Sequence, residues 1–406
     1  MTEDSRHFVV VGAGQAGATL VAKLRAEGVA GRITLIGAEA VAPYQRPPLS
    51  KAYLTGDMPL ERLMLRPERW YAEHDIDLRL GTGVATLDPA ARVLTLTDGA
   101  TVDYDRLALC TGSVPRRLPP AIGGDLDGVH VMRDLSDADA LADALVPGRR
   151  VLIVGGGYIG LEAAAVAAKR GCDVVLVEAG QRVLGRVAAP QTADHFRDLH
   201  RAHSVDLREG TGLERLTGEG HVTGATLGDG TEIEIDVAIV GVGIAPDTAL
   251  AEAAGLWIEN GIATDMECRT SDPHIWAAGD CASCLFEGAR IRLESVGNAI
   301  EMAEVAAINM AGGHAEYEPR PWFWSDQYDC KLQIAGLNTG HDAVHVRRAG
   351  EALSHWYYRD GRLIAVDAMN DPRAYMIGKR MIEARISPDP GAVVDPDANL
   401  KALLKA

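Results

Sequence analysis

At 406 residues the chain is long enough for two or three domains, each with its own core. Its 47% hydrophobic and 24% charged content is ordinary for a soluble globular protein, and a formal charge of −17 argues against a nucleic-acid binder while leaving room for a local basic patch that receives an acidic protein. No apolar run approaches the roughly 20 residues needed to span a bilayer. The polar start, Met1 to His7, has neither the apolar core of a secretory signal nor the Arg/Ser-rich character of a transit peptide. A cytoplasmic protein with neither a membrane nor a nucleic-acid partner is expected.

The first element is an apolar strand, Phe8 to Val11, running into the turn Gly12-Ala13-Gly14-Gln15-Ala16-Gly17. A helix over Ala18 to Ala26 and a strand over Ile33 to Ile36 follow, so the start reads as a βαβ unit. Pro43 to Pro67 is a long polar excursion containing Arg46-Pro47-Pro48-Leu49-Ser50-Lys51; structured excursions of this length are often functional. Arg92 to Tyr104 alternates around Asp98-Gly99, a hairpin signature. A second unit begins with Val151 to Val154 and Gly155-Gly156-Gly157-Tyr158-Ile159-Gly160. Its helix spans about Ile159 to Arg170 and stops at Gly171, and its next strand runs from Asp173 to Glu178. Val222 to Ile235 repeats the hairpin pattern around Asp229-Gly230, so the two halves look like weak internal repeats. From about Pro319 the character changes. Aromatics cluster at Trp322, Phe323, Trp324 and Tyr328, and strand-like runs follow at Lys331 to Ala335, Ser354 to Tyr358 and Leu363 to Val366. The C-terminal Asn399 to Ala406 reads as a short helix or a frayed tail.

Both glycine turns are G-x-G-x-x-G. The first glycine permits the tight turn, the second admits a pyrophosphate to the backbone, and the third lets helix pack on strand. The helix N-terminus then offers free N–H groups to the phosphates. An acid at the end of the second strand accepts from ribose hydroxyls. Glu39 stands 22 residues beyond Gly17 and Glu178 stands 18 beyond Gly160, close to the usual spacing of about 20. Two dinucleotides on one chain point to an electron carrier. Glu178 favours a free 2′-hydroxyl and repels a 2′-phosphate, and Ala179-Gly180-Gln181 supply no immediate cation, although Arg182 is near; NADH is favoured over NADPH. The six cysteines read as reduced structural thiols. The pair Cys281 and Cys284 offers two ligands where a structural zinc needs four, so no metal is expected.

Taken in order, Gly12 to Gly17, Arg46 to Lys51, Leu109 to Gly112, Gly155 to Glu162, Gly241 to Pro246, Ile275 to Asp280, Glu294 to Val296 and Pro321 to Gln327 resemble the FAD-dependent NADH:ferredoxin reductases that serve cytochrome P450 and ring-hydroxylating dioxygenase systems, the putidaredoxin reductase-like family. The resemblance covers essentially the whole chain. It implies an α/β fold of two Rossmann-like, glutathione reductase-like dinucleotide-binding domains plus a C-terminal α+β domain. An FAD domain would comprise 1–112 and 240–317, an NADH domain 113–239 and the C-terminal domain 318–406.

Tightly bound FAD would meet Gly12, Gly14, Ala16, Gly17, Glu39, Arg46, Lys51, Val84, Thr111, Gly112, Arg133, Asp280 and Val296. Asp280, expected at the end of a strand and the start of a helix, would accept from the ribityl chain. Related chains carry an acid directly after the glycine matching Gly37. Here that position is Ala38, so either Glu39 takes the ribose or backbone groups do. NADH would meet Gly155, Gly157, Tyr158, Ile159, Gly160, Glu178 and Gly243. The resemblance implies that Lys51 lies at the reactive edge of the flavin, paired with Glu162, which helps seat the nicotinamide. It also implies that a tryptophan stands between flavin and a transiently docked, acidic [2Fe–2S] ferredoxin; Trp324 is the first choice and Trp322 the second. Phe323 and Tyr328 read as core. Residues 316–385 hold ten Lys or Arg and ten Asp or Glu, a locally neutral segment, and Arg66, Arg69, Arg290, Arg292, Lys331, Arg347 and Arg348 are docking candidates.

Disulfide reductases on this fold carry an early redox cysteine pair, whereas no cysteine precedes Cys110. Thioredoxin reductases place C-x-x-C in the nicotinamide domain. Cys281 and Cys284 instead follow Asp280, which belongs beside the ribityl chain. A rubredoxin or small-acceptor reductase, and a redox-sensing protein resembling apoptosis-inducing factor, are the alternatives.

Overall fold

The structure, a computed structural model, describes residues 5–405; the first four residues of the polar N-terminal segment and the last residue of the C-terminal tail lie outside it. Two compact units are present. The first comprises the chain up to Gln45, Pro59–Val114 and Ile244–Pro321; the second comprises Arg46–Met58, Pro115–Gly243 and the chain from Trp322 onward.

In the first unit, five parallel strands lie in the order Ile275–Ala277, Arg106–Leu109, His7–Val11, Arg32–Ile36, Ile76–Arg79. Strand His7–Val11 is buried at every position. That is why it reads as a continuous apolar run: both faces of a parallel sheet are covered. Helix Gln15–Ala26 packs on helix Val296–Ala311. The second unit repeats the plan, with parallel strands in the order Asp206–Glu209, Asp173–Glu178, Arg150–Val154, Val237–Val240, Val129–His130 and a helix Tyr158–Lys169. Each unit also carries a three-stranded antiparallel sheet: Val84–Asp88, Val93–Leu96 and Thr101–Asp103 in one, Leu213–Thr217, Gly224–Leu227 and Glu232–Glu234 in the other. In both, the last hairpin closes through Asp-Gly with the glycine left-handed (Gly99 φ +87°, Gly230 φ +83°), and the first strand pair has a register shift near its start. The internal repeat therefore extends to single backbone irregularities.

From Trp322 onward an antiparallel sheet runs in the order Trp322–Gln327, Cys330–Gly336, Arg362–Met369, Ala352–Arg359, Ala343–Ala349, with helix Pro372–Glu383 packed against Arg362–Met369. Cys330, Leu332, Leu353 and Met369 share one core with Leu161, Ala164, Leu176 and Phe196 of the nucleotide-binding part, and Leu54 of the proline-rich excursion joins the same core. Further ties hold the excursion to this unit: Arg170 donates to the Leu54 carbonyl at 2.8 Å and the Tyr53 hydroxyl to Asp139 at 2.7 Å. The excursion that includes Lys51 thus packs with the second unit. Among the described residues no helix is long and apolar enough to cross a membrane.

Candidate functional site

The two glycine turns have nearly superimposable backbones. Gly12 and Gly155 sit at φ +108° and +107°, and their N–H groups donate to the ends of the neighbouring strands, Ile36 and Val177, at 2.8 Å each. A Cβ on Gly12 would lie 2.0 Å from the Cys110 carbonyl oxygen, and one on Gly155 2.5 Å from that of Gly241. A Cβ on Gly17 or Gly160 would lie 1.9 or 2.0 Å from the carbonyl oxygen of Gly12 or Gly155. The protein itself therefore demands the outer glycines. The middle ones, Gly14 and Gly157, would meet nothing within 4 Å and have ordinary extended backbones (φ −91° and −79°). Each is the N-cap of its helix, with no side-chain cap. Each helix N-terminus thus faces open space with its first N–H groups uncapped by a side chain, the form of a phosphate cradle. The residues present fit two dinucleotides.

All the expected first-unit contacts except Val84 and Val296 lie at or just beyond the carboxyl ends of the parallel strands, where open α/β sheets bind ligands. Glu39 follows Arg32–Ile36, and its carboxylate accepts from the Tyr44 hydroxyl at 2.5 Å. Thr111 and Gly112 follow Arg106–Leu109, with the Thr111 hydroxyl donating to the Asp247 carbonyl at 2.6 Å. Asp280 follows Ile275–Ala277. The preceding Gly279 (φ +84°) would place a Cβ 3.1 Å from that of Ala16, so only a glycine lets the chain pass this close to the first helix. The Asp280 carboxylate accepts from the Ser113 hydroxyl at 2.9 Å.

Contrary to the expectation from sequence, no helix starts at Asp280; a strand, Ala282–Phe286, follows, and the next helix begins at Val296 with Ser295 as its N-cap. The alternating Ala282-Ser283-Cys284 run, buried through pairing on both sides, is the reason. Val84 opens its antiparallel strand, and Val296 opens the helix that packs on Gln15–Ala26. The remaining FAD candidates, Arg46, Lys51 and Arg133, lie in the second unit, where the Arg46 guanidinium donates to the Arg133 carbonyl at 3.0 Å.

In the second unit the Glu178 carboxylate accepts from the Gly156 N–H at 2.7 Å and the Gly180 N–H at 2.6 Å. These fix it at the strand end and leave lone pairs for further donors. Arg182 is turned back onto its own loop, donating to the Ala188 carbonyl at 3.2 Å. Tyr158 packs its ring on Phe323, with centroids 4.9 Å apart, and Ile159 is 43% exposed in the first helical turn. Gly243 has φ +106°. Arg186 and Arg116 lie close to it: a Cβ there would be 3.8 and 3.9 Å from them. Neither arginine carries a motif, so sequence reading missed both.

Glu162 is only 1% exposed. One carboxylate oxygen accepts from Lys51 Nζ at 2.6 Å and the Ser50 hydroxyl at 2.6 Å; the other accepts from the Ser325 hydroxyl at 2.6 Å. The expected Lys51–Glu162 pair is therefore formed, in a buried and fully satisfied setting. Ser325 belongs to strand Trp322–Gln327, whose alternation splits its aromatics. Phe323 faces Tyr158, whereas Trp322 and Trp324 stack on each other, centroids 5.5 Å apart and 20° from parallel. Tyr328, expected in the core, instead sits half-buried in a turn at φ +55°, stacked 3.6 Å from the exposed His203 ring.

Among the docking candidates, Arg347 is buried and donates to the carbonyls of Val393, Asp395 and Pro396, so it is structural. Arg290 donates to the carbonyls of Thr264 and Ser283, and Arg292 pairs with Glu294, both with guanidinium groups largely covered. Arg66, Arg69, Lys331 and Arg348 are exposed.

All six cysteines are unpaired and buried. Burial pushes every one of these thiols up, Cys284 to about 11 and Cys330 to about 12. Thiolate is the nucleophile, so a native thiol titration at pH 7 is expected to give close to no fast-reacting groups and six after denaturation. A fast pair in the native state would restore a dithiol role for Cys281 and Cys284. Among the described residues no group of three or more His, Cys, Asp or Glu could hold a metal ion.

Residues 6–303 match the pyridine nucleotide-disulphide oxidoreductase family and residues 322–404 the reductase C-terminal family. The chain is 44% identical to a ferredoxin–NAD(P)+ reductase of a Sphingomonas species, with 99% of this chain and 98% of the relative aligned. With putidaredoxin reductase of Pseudomonas putida the identity is 41%, over 98% and 97%. The crystal structure of the covalent putidaredoxin reductase–putidaredoxin complex matches with a TM-score of 0.95 and 39% identity, over 98% of each chain. Family membership carries with it the use of FAD and a nicotinamide nucleotide. The chain belongs to the pyridine nucleotide-disulphide oxidoreductase family, among the ferredoxin reductases of the putidaredoxin reductase type.

Proposed function

We propose that the protein is a cytoplasmic, NADH-specific reductase that holds FAD tightly and passes electrons to an acidic [2Fe–2S] ferredoxin feeding a cytochrome P450 or related oxygenase. Residues 1–112 with 240–317 serve FAD, 113–239 serve NADH, and 318–406 carry the exit toward the partner. Bound FAD supplies the exchange between a two-electron hydride donor and a one-electron acceptor.

The residues do the rest. Gly12, Gly14, Ala16 and Gly17 admit the FAD pyrophosphate, with Asp280 and Glu39 as acceptors for its hydroxyls and Val84, Thr111, Gly112, Arg46, Arg133 and Val296 around it. Gly155, Gly157, Tyr158, Ile159, Gly160 and Gly243 shape the NADH seat. Lys51 and Glu162 act at the reacting edge, Lys51 by placing positive charge where negative charge develops. Trp324 lies on the way out. The observation that carries the reading is the pair of middle glycines, Gly14 and Gly157, whose missing side chains nothing in the protein requires.

Specificity for NADH rests on Glu178, held by two backbone N–H groups, and on Arg182 being spent on its own loop. The purified protein is expected to be yellow, to be bleached by NADH far faster than by NADPH, and to reduce cytochrome c only when a [2Fe–2S] ferredoxin is added. Glu178→Ala is expected to raise the apparent Kd for NADH about tenfold, the worth of a charge-assisted hydrogen bond, and to narrow the gap to NADPH. Colourless protein, or equal bleaching by both nucleotides, overturns the reading.

A further inference from the structure

Strand Trp322–Gln327 has a second face. Ser325 and Gln327 are fully buried polar residues, an arrangement that lowers stability unless every group is paired. They are paired, and in one direction. The Gln327 amide donates to the Ser325 hydroxyl oxygen at 3.1 Å, which commits the Ser325 proton to Glu162 at 2.6 Å. Gln327 then presents its carbonyl oxygen to His200 Nε2 at 2.8 Å, which places the imidazole proton on Nε2. His200 Nδ1 is left as acceptor for the Tyr328 hydroxyl at 3.3 Å. Burial, which lowers the His200 pKa to about 4, keeps the ring neutral in this role. Tyr328 stacks on exposed His203, so the chain runs from the surface to the Glu162 carboxylate with every donor aimed inward.

We propose that Ser325, Gln327 and His200 are positioning residues that hold one oxygen of Glu162, so that its other oxygen is fixed on Ser50 and Lys51. The inference rests on the reading of Lys51 and Glu162 as the pair at the flavin edge. Held only by Ser50 and Lys51, the carboxylate would have one oxygen buried without a donor; the Ser325 hydroxyl supplies that donor and fixes the carboxylate plane from its other side. Because Ser325 and Phe323 share the strand face that packs on helix Tyr158–Lys169, the device also fixes the register of the strand, whose opposite face carries Trp322 and Trp324.

The test compares Ser325→Thr with Ser325→Val, two side chains of nearly equal shape that differ in the hydroxyl. In stopped flow with the FAD-loaded protein, Ser325→Val is expected to lower the limiting rate of flavin reduction on the order of tenfold with the apparent Kd for NADH changed less than about twofold, whereas Ser325→Thr stays near wild type. A second readout needs no turnover: urea midpoints of Ser325→Val, Glu162→Leu and the double variant. The double variant is expected to lose clearly less than the sum of the singles, because both remove the same contact. Equal behaviour of the Thr and Val variants, or additive midpoints, overturns the relay. Wild-type protein that NADH fails to bleach overturns the function instead, while the midpoints still decide whether Ser325 and Glu162 are coupled.

Discussion

Gly157→Val is expected to leave the fold and the bound flavin intact and to raise the apparent Kd for NADH by about 100-fold or more, equivalent to roughly 2.7 kcal/mol. Gly157 has φ −79° and ψ 177°, a conformation that valine adopts readily, and a Cβ there would meet no atom within 4 Å. The cost to the fold is limited to the loss of a favoured N-cap residue, of order 1 kcal/mol or less. The isopropyl group fills the space in which a pyrophosphate must approach the helix N-terminus. Gly14→Val is the matching change in the first unit: a folded protein that purifies without colour. The outer glycines behave oppositely. Gly12→Ala forces a left-handed alanine with its Cβ 2.0 Å from a carbonyl oxygen, and Gly155→Ala a similar one at 2.5 Å, so both are expected to accumulate as insoluble or unfolded chain. Flavin absorbance, far-UV circular dichroism and NADH titration separate these outcomes. A Gly14→Val protein that keeps stoichiometric flavin would falsify the cradle.

That contrast also shows what a sequence carries openly. A glycine turn between a buried strand and a helix is a local pattern, and its geometry follows from sterics inside a dozen residues. The paired turns, the Asp-Gly hairpins and the places of Glu39 beyond one strand and Glu178 at the end of another are legible for this reason. What depended on long-range pairing was not. Ala282–Phe286 alternates too briefly to declare itself a strand, so the sequence places a helix start at Asp280. Arg347 looks like any surface cation until three carbonyls between Val393 and Pro396 surround it. Ser325 reaches Glu162 across 163 positions of sequence, and nothing near either residue announces the contact. The excursion with Lys51 sits between first-unit segments in sequence yet packs with the second unit through Leu54. Only the family resemblance, by pairing Lys51 with Glu162, pointed across that gap.

Lys51→Met is expected to lower the rate of flavin reduction by NADH about 100-fold, the usual loss when a preorganised charge at a reacting centre is removed, with only a modest fall in the denaturation midpoint. The asymmetry comes from what each partner keeps. Without Lys51, the Glu162 carboxylate still accepts from the Ser50 and Ser325 hydroxyls at 2.6 Å, so its burial remains partly compensated. Without Glu162, the ammonium of Lys51, with a side chain 17% exposed, is left with the Pro47 carbonyl at 3.2 Å and the Ser50 hydroxyl at 3.4 Å, while the Ser325 proton loses its acceptor. Glu162→Leu should therefore lose both activity and stability, by about 3 kcal/mol for the uncompensated charge. Pairing the two changes as Lys51→Met with Glu162→Leu should return much of the stability, because no buried charge remains, and none of the activity. Urea denaturation and stopped-flow reduction of the same four proteins give the answer. If Lys51→Met reduces its flavin within threefold of wild type, the pair is a structural clasp and its charge has no part in the chemistry.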